Sequence, residues 1–143
     1  MKQKVAVLGI VVGMLVFAIL QARGGLFGTK KRDVRSAAFL AEVAAELNKQ
    51  LPKPVDQETE VTSVTGLEGV FVYNYTLVNR VASEVDGSHL VATLQPQVTQ
   101  AACAAPDTRD KFLNQGVTLR YSYADKTGSA IASFDVTPQD CGA

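Results

Sequence analysis

The chain is short of the residues that do chemistry. It holds one histidine and two cysteines among 143 residues. A lone His89 cannot build a histidine-based metal centre, and it reads as a surface residue at a helix start. No C-x-x-C is present, which argues against thiol redox catalysis. No nucleophile elbow, H-E-x-x-H, Walker loop or dinucleotide fingerprint is found either. Nothing in the sequence calls for a cofactor. Internal repeats, low-complexity tracts and a long Ser/Gly linker are also missing.

Acidic residues are missing from one part of the chain. None of the fourteen Asp and Glu residues precedes Asp33, whereas six of the fourteen basic ones do: Lys2, Lys4, Arg23, Lys30, Lys31 and Arg32. The formal net charge of zero therefore hides a basic start and a remainder of eight basic against fourteen acidic residues, a net of −6. An acidic domain argues against nucleic acid, whose phosphates demand a basic surface.

The basic start encloses the one long apolar run, sixteen uncharged residues from Val5 to Leu20. As a helix these would span roughly 24 Å at 1.5 Å per residue, slightly short of a hydrocarbon core of about 30 Å. Gln21, Ala22 and a snorkelling Arg23 extend it. The expectation is a signal anchor that crosses the bacterial inner membrane through residues 5–22. The alternative is a cleaved secretory signal, for which Leu20-Gln21-Ala22 is an imperfect exit. No cysteine follows the run, so lipoprotein processing is excluded. Gly9 and Gly13 form a G-x-x-x-G, a weak signal for helix packing in a membrane.

Residues 1–32 thus read as anchor and basic linker, and residues 33–143 as one domain, large enough for a single core. Asp33 is placed to cap a helix over Val34–Leu51, where Leu40, Val43, Ala44, Leu47 and Leu51 share a face. Two strands follow, Glu58–Thr65 and Val70–Arg80, turning near Gly66 and Gly69. A second helix starts near Ser88 and is expected to kink or break at Pro96. A third runs from Pro106 to Gly116. A closing hairpin joins Val117–Tyr123 to Ser129–Val136 through Asp125-Lys126-Thr127-Gly128. The order α-β-β-α-α-β-β predicts an α+β fold, an antiparallel four-stranded sheet with helices on one face.

Cys103 would end the second helix and Cys141 would follow the last strand. An even count in an exported domain predicts a structural disulfide, and a pair of free cysteines in a cytosolic domain is the other reading. Arg120 falls on the polar face of its strand with Thr118 and Ser122. It reads either as the cross-strand partner of a residue such as Asp135 or as an anchor of an interaction surface. The four tyrosines sit in two of the strands, where core packing and docking explain them equally.

Several short motifs recur together. Tyr73-Asn74-Tyr75-Thr76-Leu77-Val78-Asn79, Arg120-Tyr121-Ser122-Tyr123 with Asp125-Lys126 and Gly128, and Phe134-Asp135-Val136-Thr137-Pro138 with Asp140-Cys141 resemble small exported bacterial proteins, mostly uncharacterised. The resemblance covers roughly residues 35 to 141. It implies an envelope location and paired cysteines, and it brings no activity with it.

These readings converge on a non-enzymatic, membrane-tethered periplasmic domain that binds a protein of the envelope, as an accessory of a secretion or surface assembly. The alternative is an immunity or inhibitor protein, whose acidic domain would be steered to a basic toxin or hydrolase.

Overall fold

The computed structural model describes residues 33–142. Helix α1 spans Ala37–Asn48, and three strands follow: β1 Lys53–Pro54, β2 Thr59–Leu67 and β3 Val70–Leu77. Helices α2 (Gly87–Ala104) and α3 (Pro106–Lys111) lead to β4 (Thr118–Asp125) and β5 (Ala130–Val136), and a 3-10 turn over Pro138–Cys141 closes the chain. The spanning helix and the Gly9/Gly13 spacing fall on residues outside the described ones.

The α+β class holds, and the sheet differs from expectation in number and direction. It has five strands in the order β1-β2-β3-β4-β5, and β3 pairs with β4 in parallel, Tyr73 opposite Tyr121 and Tyr75 opposite Tyr123. The other neighbours are antiparallel. The physical reason lies in the connection. Helices α2 and α3 carry the chain back to the end where β3 began, and a crossover of that length permits parallel entry, which a tight turn does not. Strand β1 escaped the sequence pattern because two residues, one of them Pro54, carry no periodicity.

Helix α1 buries Phe39, Leu40, Val43, Ala44 and Leu47 against β2, and α2 buries Leu94, Val98 and Ala102. The cap of α1 is Ser36, not Asp33: the Ser36 hydroxyl accepts from Phe39 N–H at 3.1 Å, while Asp33 takes the Arg35 N–H at 3.0 Å. At Gly66 the α1 backbone lies so close that a Cβ would collide with the Leu40 carbonyl and Ala41 nitrogen. Gly66 is therefore a contact point inside β2, and the turn is made by Glu68 and Gly69, the latter at φ +69°.

All four tyrosines face the helices and are buried. Parallel register stacks them. Tyr73 lies 5.1 Å from Tyr121 between ring centroids, and Tyr75 lies 4.9 Å from Tyr123. Phe134 extends the ladder at 5.4 Å from Tyr121. Pairs of this kind contribute about 0.5–1.5 kcal/mol each beyond simple burial. On β5, Ile131 is passed over between the pairs Tyr123–Ala132 and Ala124–Ala130, a bulge that turns it towards the core.

Helix α2 does not break at Pro96. The missing N–H frees the Ala92 carbonyl, but Ala92 and Pro96 both lie on the exposed side, where water can take its place. Helix α2 also covers the free edge of β5. The Gln95 amide donates to the Asp135 carbonyl at 3.2 Å, and a Cβ at Gly87 would sit 2.7 Å from the Ile131 carbonyl. Among the described residues, no helix is long and apolar enough to cross a membrane.

Candidate functional site

The predicted interaction residues fall on the open face of the sheet, away from the helices. Thr118, Arg120 and Ser122 are half-buried there. Arg120 is engaged by Asp135, directly opposite on β5. Its neighbours on this face bond to each other as well: Thr62 and Thr76 hydroxyls meet at 2.6 Å, and the Asn74 amide donates to Ser63 and Thr65. The tyrosines that would have joined Arg120 in a docking surface lie on the opposite, buried side. The structure separates these two groups.

Among the described residues no three His, Cys, Asp or Glu side chains are placed to hold a metal ion. His89 is exposed, and its backbone N–H donates to the helix-capping Asp86. Asp107 pairs with Lys111 one helix turn on, at 3.2 Å. Burial pushes the phenols of Tyr73, Tyr75, Tyr121 and Tyr123 up from their ordinary value, so none trades protons near neutrality.

One buried carboxylate stands out, that of Asp125. It accepts from the Thr127 hydroxyl at 2.6 Å, the Ala82 N–H at 2.7 Å, and the Thr127 and Ser129 N–H groups at 2.8 and 2.9 Å. The Thr127 hydroxyl, helped by the backbone donors and opposed by burial, holds its pKa down to about 2. With its bonds spent inside the turn and on the loop after β3, Asp125 fastens a corner of the fold. Sequence reading saw turn chemistry at Asp125-Gly128 and missed the reach back to Ala82.

The site that sequence reading missed is on α2. No Asp, Glu, Lys or Arg occurs in its eighteen residues, in a chain that is 20% charged. With Leu94, Val98 and Ala102 inward, the outward stripe is Ala92, Pro96, Gln100 and Ala104, flanked by half-buried Val91, Gln95, Thr99 and Cys103. These residues line a shallow groove of about 660 Å³ whose far wall is Asp140. That wall belongs to the closing 3-10 turn, which the Cys103–Cys141 disulfide fastens to α2 with its Cα atoms 5.4 Å apart. Charge depletion with apolar content marks the centre of a protein interface. The signal was present in the sequence, as a long helix whose solvent side has no charge.

Comparison with known proteins places this architecture. No protein-family model matches the chain, and no curated protein matches it. Solved structures do. A candidate secreted protein of Pseudomonas aeruginosa aligns over 80% of this chain and 99% of its own, with a TM-score of 0.64 and 18% identity. The pilotin EpsS of the Vibrio vulnificus type 2 secretion system aligns over 73% and 90%, with a TM-score of 0.56 and 16% identity. The type II secretion system pilotin AspS of Vibrio cholerae aligns over 85% and 99%, at 0.55 and 16%. The chain shares its fold with these proteins. The reading of a single-pass inner-membrane protein with a signal anchor is corrected to what the structure carries: no helix among the described residues is long and apolar enough to cross a membrane, and residues 5–22 lie outside them.

Proposed function

We propose that this chain is a non-enzymatic periplasmic accessory protein of a bacterial secretion system, and that it works by holding a segment of an envelope protein in the α2 groove. The observation that carries the reading is the uncharged outward face of α2 on a domain whose net charge is −6. Depositing an apolar ridge along α2 desolvates no charged side chain of the helix, and Asp140 on the far wall is the one ion beside it. The segment that fits presents small apolar side chains to Pro96 and Ala104 and a basic residue to Asp140. The fold shared with pilotins supports the secretion-system setting.

The inhibitor reading is the second one, favoured by the same acidic surface, which would steer a basic toxin or hydrolase towards it. Site-specific crosslinking separates the two. A photo-crosslinking side chain is installed in place of Gln100 in the groove and, separately, in place of Thr65 on the open sheet face, in the full chain expressed in its own periplasm. The expected result is a crosslink from position 100 to a secretion-system component, with none from position 65. A crosslink to a toxin or hydrolase supports the inhibitor reading. Equal labelling from both positions, or none from position 100, defeats the groove.

A further inference from the structure

We infer that the Cys103–Cys141 disulfide is a redox latch on the α2 groove, closing it when oxidised and letting its far wall swing away when reduced. The inference rests on the docking reading above and adds its regulation.

The two walls of the groove come from different parts of the chain. One is the outward side of α2, which includes Cys103 and ends at Ala104, and the other is Asp140, one residue before Cys141. The turn that carries Asp140 buries none of its residues. Its own bonds are internal: Thr137 donates to the Asp140 carboxylate through its N–H at 2.8 Å and its hydroxyl at 3.1 Å, and Gly142 N–H donates to the Gln139 carbonyl at 3.1 Å. These bonds shape the turn without holding it to the helix. Besides the disulfide, the Cys141 side chain packs at the margin of the core, and the Arg109 guanidinium reaches across to the Cys141 carbonyl at a long 3.4 Å.

Strand β5 has its own moorings. Phe134 and Val136 are buried, and the strand is paired with β4 along Leu119–Ala124. Opening the latch therefore frees the four-residue turn and leaves the sheet in place. Both cysteines are half-buried rather than sealed in the core, and Cys103 lines the groove.

The chemistry is thiol–disulfide exchange with a dithiol as reductant. A thiolate of the dithiol attacks one cysteine sulfur, the protein S–S bond breaks, and the departing cysteine thiolate takes up a proton. The second thiol of the reductant then attacks the mixed disulfide and releases the other cysteine as a thiol. Two electrons and two protons pass to the protein, and the dithiol leaves as a disulfide.

Two measurements on the full chain test the latch. The first needs no partner: amide hydrogen exchange of the oxidised protein against protein reduced with dithiothreitol. Exchange at Asp140 and Gly142 should speed up about tenfold or more, with the β3 and β4 amides unchanged. Unchanged exchange in the turn overturns the latch, and so does acceleration throughout β3 and β4, which would make the bond a support of the whole fold. The second is crosslinking yield from position 100, which should fall about tenfold on reduction. A Cys103→Ala/Cys141→Ala variant should give the low yield with or without dithiothreitol, which controls for thiols on the partner. Equal yields from oxidised and reduced protein overturn the latch even if the turn loosens. Failure of position 100 to crosslink in the oxidised protein defeats the docking reading and the groove's regulation with it, while exchange still decides whether the turn is released.

Discussion

Arg120 and Asp135 stand directly opposite each other on β4 and β5 and meet through two contacts, Nε to Oδ1 at 2.9 Å and Nη2 to Oδ2 at 3.2 Å. The bidentate geometry is good, but both side chains remain well exposed, at 42% and 37%. Solvent screening dominates such a pair. A double-mutant cycle with Arg120→Ala and Asp135→Ala, read by urea denaturation, should give a coupling of about 0.2–1 kcal/mol. Coupling above about 2 kcal/mol would mean that the pair holds the sheet together in a way its exposure does not allow.

Gly66 tolerates no side chain. Its place against the α1 backbone leaves no flexible neighbour to yield, since the atoms a Cβ would strike are the Leu40 carbonyl and the Ala41 nitrogen. Gly66→Ala should destabilise the domain by about 1–3 kcal/mol or more, as overpacking does. Gly128, with nothing within 4 Å of the same hypothetical atom, is the control for steric effects. Its φ of +90° makes Gly128→Ala mildly costly for a different reason, backbone strain. A thermal melt in which the two variants lose equal stability would refute the close-approach argument.

Asp125 should make stability depend on acid. Its folded-state pKa lies below the ordinary 3.8, at about 2, so ionisation favours the folded state. That contribution is complete above the unfolded value and disappears as pH falls through about 2. Thermal melts of the native chain and Asp125→Asn should differ by a constant amount around neutrality. The gap should narrow between about pH 4 and about pH 2. A gap that stays constant down to the lower limit would show that the charge on Asp125 is not what its four donors recognise.

Tyr75 and Tyr123 bury hydroxyls that find no hydrogen-bond partner among the described residues. A buried, unmatched hydroxyl costs stability that an apolar group of the same shape does not. Tyr75→Phe and Tyr123→Phe should each be neutral or stabilising by about 1 kcal/mol in urea denaturation. Clear destabilisation by either variant would mean that its hydroxyl is satisfied after all.

What could be read in the sequence was local. The 3.6 period at Leu40, Val43, Ala44 and Leu47 identified α1, and the alternation at Phe71, Tyr73 and Tyr75 identified β3, because each pattern is set by neighbours a few residues away. The parallel pairing of β3 with β4 was not legible, since nothing within either strand records the end from which the other enters. Pro96 misled for a related reason. Its cost depends on whether the Ala92 carbonyl meets water, and that is decided by which side of α2 faces β5. Arg120 and the tyrosines were grouped because they are close along the chain, although alternation puts Arg120 on one side of β4 and Tyr121 and Tyr123 on the other. The groove was the hardest to see. Half of it was written as an absence of charge over Gly87–Ala104, and the other half arrives from Asp140, some forty residues away.

The treatment of the sheet's two margins has a consequence for how the protein keeps company. At one margin stands a two-residue strand containing Pro54, which has no N–H to offer. At the other, Gln95 already donates to the Asp135 carbonyl, and the α2 backbone at Gly87 lies close against the Ile131 carbonyl. Both margins therefore offer a visiting strand a shortened or partly covered edge. Strand addition is thereby the poorer way to meet this domain, and side chains on its faces are the better one.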